Sequence, residues 1–243
     1  MTAFLIALQF LTRFPLNFNI EWTDENVARS LLWYPVVGFL IGLCIFVISS
    51  LLAEQNSILV AAIILSVWVI ITGGLHLDGL ADSADAWVGS HGDKKRALEI
   101  MKDPQAGPIA VIVLVLVLLI KFSAINSLIL NNEIYLLIAA PVIARCVPLT
   151  LFLTTPYVRE QGLGSAMAAY LPRELAWTVL SVVSIVSLFF LGFVQAVVLI
   201  LVVACVLWYL RYLMVKFIGG MTGDTIGAAI EFVEVVVLMA IVF

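Results

Sequence analysis

The chain has 243 residues, 64% of them apolar and 12% charged, with a formal net charge of −4. A soluble domain carries roughly 45–50% apolar and about 25% charged residues, so the balance excludes an ordinary soluble protein and indicates an integral membrane one. It also lacks the basic surface that nucleic-acid binding requires, so membrane lipid is an expected partner and nucleic acid is not.

Met1 to Leu11 is apolar, but no Lys or Arg precedes it and no small-x-small cleavage site follows, so it is not read as a secretory signal. It is too short to cross a bilayer, which takes about 20 residues. With Arg13 and Pro15 at its end, residues 3–14 are predicted to form an interfacial or half-buried helix. Uninterrupted apolar runs then predict seven spans, over residues 31–52, 57–74, 109–130, 134–153, 176–192, 194–214 and 226–243. Gly192 splits a run too long for one helix. None of these runs alternates apolar and polar residues as a barrel strand must. The expected fold class is all-α: a polytopic transmembrane helix bundle of about seven spans, forming one catalytic domain over 1–243. Cys44, Cys146 and Cys205 lie in apolar runs without a C-x-x-C pair and read as small core hydrophobes.

Lys and Arg are placed asymmetrically. Arg13, Arg29, Lys94, Lys95, Arg96, Lys102, Arg159, Arg173, Arg211 and Lys216 fall on the side of the amino terminus. The connections 53–56, 131–133 and near 193 contain neither residue. The positive-inside rule therefore predicts a cytoplasmic amino terminus, in the cytoplasmic (inner) membrane.

Two acidic stretches then share the cytoplasmic face. In the first, Asp78, Asp82 and Asp85 are spaced four and three apart, which places them on one face of a helix. Carboxylates so arranged repel one another unless a cation lies between them. Oxygen ligands suit Mg²⁺ or Mn²⁺, and Mg²⁺ takes one or two carboxylates plus water and phosphate oxygens. Gly73, Gly74 and Gly79 allow a break or a close backbone approach where the second span ends. His76 is a candidate metal ligand, phosphate donor or proton carrier, or a hydrogen-bonded structural residue. His91 reads as solvated.

The loop helix near 93–104 carries Arg96 and Lys102, which are candidates to attract phosphate or anionic lipid from the membrane surface. Asp103, before Pro104, is a candidate metal or substrate contact. Lys121 and Arg145 lie inside predicted spans. For Arg145 the expected partners are Glu231, Glu234 or a substrate phosphate.

The second stretch places Asp224, Glu231 and Glu234 within an arc of one helix, with Thr222, Asp224 and Thr225 positioned to cap its start. A carboxylate at the bilayer centre costs about 2.5–3.5 kcal/mol even on the insertion scale, so Glu231 and Glu234 should face the bundle interior. The residues indicate a metal-dependent phosphoryl or phospho-alcohol transferase at the membrane boundary.

The run Gly73-Gly74-Leu75-His76-Leu77-Asp78-Gly79-Leu80-Ala81-Asp82-Ser83-Ala84-Asp85 resembles the signature of cobalamin synthases, the adenosylcobinamide-GDP ribazoletransferases. Gln9 to Pro15, Arg96 to Asp103, Glu160 to Gly164 and Gly219 to Glu231 resemble further segments of that family, in order along the chain. The resemblance implies that adenosylcobinamide-GDP and α-ribazole, or its 5′-phosphate, are joined with loss of GMP, and that Mg²⁺ is the cofactor. It implies Asp78, Asp82, Asp85, Asp224 and Glu231 as metal-binding residues. His76, Asp78 and Asp82 are its catalytic candidates, and Arg96, Lys102, Asp103 and Arg145 its substrate contacts. Which acid is ligand and which is base stays open. Two rivals remain. A CDP-alcohol phosphotransferase needs Asp-Gly-x-x-Ala-Arg, where this chain has Asp82-Ser83 after Asp78-Gly79. A cation-coupled transporter would place its acids near the midplane rather than at one boundary.

Overall fold

The computed structural model describes residues 1–15 and 20–243. Among these residues the chain is helical, and its only extended pairing is a bridge between Tyr157 and Met221. Helices are what a lipid-embedded chain must form, because each satisfies its backbone hydrogen bonds internally.

Helix α1 (Thr2–Leu11) buries Ile6, Ala7, Leu8 and Leu11 and leaves its other side less covered, as expected of a half-buried element. It packs on α2 (Asp24–Ser30), which runs through a single 3-10 turn into α3 (Tyr34–Leu51). The remaining predicted spans appear as α4 (Ser57–Thr72), α7 (Pro108–Leu130), α11 (Arg173–Leu191), α12 (Phe193–Ile218) and α13 (Gly223–Val242), together with one interrupted span. That span runs from Ile134 to Thr154 as a 3-10 segment, α8 (Ala139–Ala144) and α9 (Cys146–Thr154). Gly192 makes the sharp turn between α11 and α12 with φ 84°, a conformation that glycine adopts without strain.

Burial sorts these spans into layers. In α13, and in the span that ends with α9, 67% of the apolar stretch is buried, against 11% in α11. The first two form the centre, and α11 and α12 form the periphery. Close approach at the centre comes from small residues. Gly38 and Gly42 on α3 lie against the backbone of Pro141 and Ile138, with no room for a side chain. Arg173 and Arg211 donate to the carbonyls of Leu153 and Thr154, satisfying the end of α9.

As expected, the second span ends at the glycines, and the acidic signature forms its own helix, α5 (Leu75–Gly89), turned 87° from α4. Gly73 and Gly74, with φ of 63° and 67°, make the turn. Arg13 folds across it: its backbone N–H donates to Ile71 O at 2.7 Å, and its side chain fills the space beside Gly73. A pair bent this sharply is a broken span or a re-entrant segment, with the apolar residues on α4 and the carboxylates on α5. The basic loop helix, α6 (Lys94–Ile100), differs from the expected membrane-surface helix: its apolar side, with Ala97 and the following Met101, packs on Ala86 and Ile218 of the protein.

Candidate active site

α5 and α13 meet backbone to backbone. A methyl group on Gly79 would lie 2.7 Å from the carbonyl oxygen of Asp224, and one on Gly227 would lie 3.3 Å from His76 Cα. This crossing brings two acidic stretches that are far apart in sequence to one place. The start of α13 is fixed by a reciprocal cap. Thr222 accepts from the Thr225 N–H, while the Thr225 hydroxyl accepts from the Thr222 N–H. The segment before it is stitched to the loop after α9, since Met221 N–H donates to Pro156 O at 2.9 Å and Val158 N–H to Met221 O at 3.0 Å.

A cavity of about 310 Å³ opens at the crossing. Its polar wall includes His76 and Asp78 from α5, Asp224 from α13, and Tyr157 and Arg159 from the stitched loop. The cavity also reaches the start of α10 (Leu163–Tyr170), whose N-cap is Gly162. Arg159 Nη2 donates to Asp224 Oδ2 at 2.5 Å. His76 is buried, and its Nδ1 has no hydrogen-bond partner.

Asp82 lies one turn beyond Asp78 on α5. Its own burial, then Asp78 and Asp224, push its carboxyl up to about 6, opposed in part by Arg159. Neither Asp78 nor Asp82 makes an ion pair or side-chain hydrogen bond among the described residues. The corner is therefore anionic and short of counter-charge, a condition that a divalent cation would relieve.

The other acids are engaged elsewhere. Asp85 accepts from Gly107 N–H at 2.5 Å and Ala110 N–H at 3.0 Å, capping the start of α7. Glu231 pairs with Lys121 at 2.5 Å. Glu234 pairs with both Lys121 and Arg145, so Arg145 takes the ion-pair alternative. Lys121 also lies 5.0 Å from the Trp68 ring centroid. Among the described residues, no three His, Cys, Asp or Glu side chains form a ready metal cage. The five carboxylates implied as metal-binding are thus not gathered at one point. Arg96, Lys102 and Asp103 are exposed and do not line this cavity. Asp103 instead accepts from Gln105 N–H at 3.0 Å.

Sequence reasoning missed Arg159, which it treated only as a topological charge. The available signal was its position directly before the Glu160-Gln161-Gly162-Leu163-Gly164 segment.

Residues 3–242 match the cobalamin-5-phosphate synthase family. The chain belongs to this family. It is 50% identical over 236 residues to the adenosylcobinamide-GDP ribazoletransferase of Pseudomonas fluorescens (strain Pf0-1), covering 97% of each chain. It is 46% identical over 242 residues to the protein of that name from Acinetobacter baumannii (strain ATCC 17978), covering 100% of this chain and 97% of the relative. The Pseudomonas entomophila (strain L48) protein of that name is 48% identical over 241 residues, covering 99% of this chain and 98% of the relative. No solved structure matches the chain. In this member of the cobalamin-5-phosphate synthase family, the α5–α13 crossing is the place where segments far apart in the chain form one polar cavity.

Proposed function

We propose that the chain is an adenosylcobinamide-GDP ribazoletransferase of cobalamin biosynthesis. The observation that carries the reading is Asp78 and Asp224, from helices far apart in the sequence, facing one cavity together with His76 and Arg159. In the reaction, a free ribose hydroxyl of α-ribazole, or of its 5′-phosphate, attacks the phosphorus attached to cobinamide. The bond from that phosphorus to the bridging oxygen breaks, and the oxygen leaves with GMP. The hydroxyl proton passes to a base, and the product is a phosphodiester. His76, which lines the cavity, and Asp82, one turn beyond Asp78 and outside the lining, are the candidates to receive that proton or to orient the hydroxyl.

Mg²⁺ fits the donor set, because unpaired carboxylates at a mouth that must admit pyrophosphate suit an ion that takes few protein ligands. Asp78 and Asp82, with Asp224 once it is released from Arg159, are the residues that would hold it. It would supply charge neutralisation on the phosphates. Asp85 and Glu231 act from behind, by fixing α5 to α7 and α13 to Lys121. The intramembrane charges that suggested a transporter are paired with one another.

The test is GMP release by the purified protein. Release should require both adenosylcobinamide-GDP and α-ribazole, and should stop with EDTA and resume with Mg²⁺. GMP release without α-ribazole, or none with both substrates and Mg²⁺, would refute the reading.

We infer from the basic loops that the site faces the cytoplasm, in the inner membrane. A reporter fused after residue 90 should then be cytoplasmic, and one inserted near Asn131 should lie on the opposite side. Finding both on one side would overturn this orientation.

A further inference from the structure

We propose that Arg159 is the nucleotide-phosphate anchor of this site, and that its pairing with Asp224 is a resting state that substrate exchanges for an Arg159–pyrophosphate contact. The inference rests on the transferase reading above. Three observations support it.

Among the described residues, Arg159 is the only arginine or lysine lining the 310 Å³ cavity. Its side chain is 27% exposed, so it reaches the mouth rather than being locked in the core. One end of its guanidinium holds Asp224, while its Nε is shielded from solvent without a hydrogen-bond partner. A guanidinium with an unused donor beside a cavity suits bidentate binding of phosphate oxygens.

The loop that carries it is fixed just before Arg159. Val158 is tied to Met221, and Gly220 lies so close to Pro156 and Val158 that it has no room for a side chain. Arg159 can therefore change partner through its side chain while the backbone stays in place. Beyond it, α10 starts at the same cavity, with Gly162 as N-cap and no capping side chain. Such a start favours an anion and supports the same assignment.

The exchange gives Arg159 two effects. It attracts the pyrophosphate, and by leaving Asp224 it frees that carboxylate when the substrate arrives. Asp224 competes with phosphate for Arg159, so removing its charge should strengthen metal-free substrate binding even though it harms turnover.

Equilibrium binding of adenosylcobinamide-GDP to the purified full-length protein in EDTA isolates this contact from catalysis. Arg159→Gln should weaken binding at least about tenfold, the scale of losing a charge-assisted hydrogen bond. Arg159→Lys should fall between Gln and wild type, and Asp224→Asn should bind more tightly than wild type. If Arg159→Gln and Asp224→Asn weaken binding alike, the pair is only structural. If Arg159→Gln and Arg159→Lys both bind as wild type does, Arg159 is not the anchor. Wild-type protein that turns over with Mg²⁺ but does not bind in EDTA also overturns the anchor while leaving the transferase reading intact. Protein that neither binds nor turns over defeats the transferase reading itself.

Discussion

Asp78→Asn and Asp224→Asn should each lower turnover at least about a hundredfold, the scale of losing one major electrostatic contribution to a transition state. Both carboxylates face one cavity, although they come from helices far apart in the sequence. Groups that act as a unit give strongly non-additive losses, so the double variant should be little worse than either single one. The measurement is initial rate at saturating adenosylcobinamide-GDP, α-ribazole and Mg²⁺, with membrane levels of each variant compared. If the loss in the double variant equals the product of the two single losses, the carboxylates act independently and the shared site is wrong. Near-normal turnover in Asp78→Asn would remove the first stretch from the chemistry.

The second large effect is on stability. Glu234→Gln should destabilise the protein by about 3–5 kcal/mol, the range for breaking a buried ion pair from one side. Glu234 is 1% exposed and is the shared partner of Lys121 and of Arg145, which is 0% exposed. Without its charge, the Arg145 guanidinium is left in the bundle with no counter-ion. Thermal inactivation of the purified variant should show the loss, and its level in membranes should fall. The double variant Arg145→Met/Glu234→Leu should recover much of this stability, because it removes both charges and leaves the Lys121–Glu231 pair. Wild-type stability in Glu234→Gln would mean that the cluster carries little of the energy holding α7, α8 and α13 together.

The sequence made the spans legible because lipid imposes a simple rule. A backbone in hydrocarbon must satisfy its own hydrogen bonds, so run length alone marks the crossing helices. The run 109–130 is observed as Pro108–Leu130, and 134–153 as Ile134–Thr154. The turn at Gly192 and the Thr222–Thr225 cap were equally readable, because both are decided by residues a few positions apart. The acidic stretches stood out because charge is costly near lipid and therefore rare.

The roles of the individual acids were not legible in this way. Asp78, Asp82 and Asp85 share one helical face by spacing, yet Asp78 borders the cavity while Asp85 caps another helix. Spacing fixes the face of a helix but not what packs against it. The 87° turn after α4 sets the direction of that face, and the glycine crossing of α5 with α13 brings Asp224 to it. Glu231 and Glu234 read as site acids or as ion-pair partners from the chain alone, and the positions of Lys121 and Arg145 decided for pairing. For Arg159 the chain offered only its position before the Glu160–Gly164 segment, since its partner Asp224 lies in a distant segment joined to it by the Pro156–Met221 and Val158–Met221 hydrogen bonds. The sequence by itself determined which segments lie in lipid and which residue types gather at the boundary, because those depend on transfer energies summed along the chain. Only the tertiary structure decided which carboxylates are left to meet a substrate, because that depends on which charges from distant segments have already neutralised the rest.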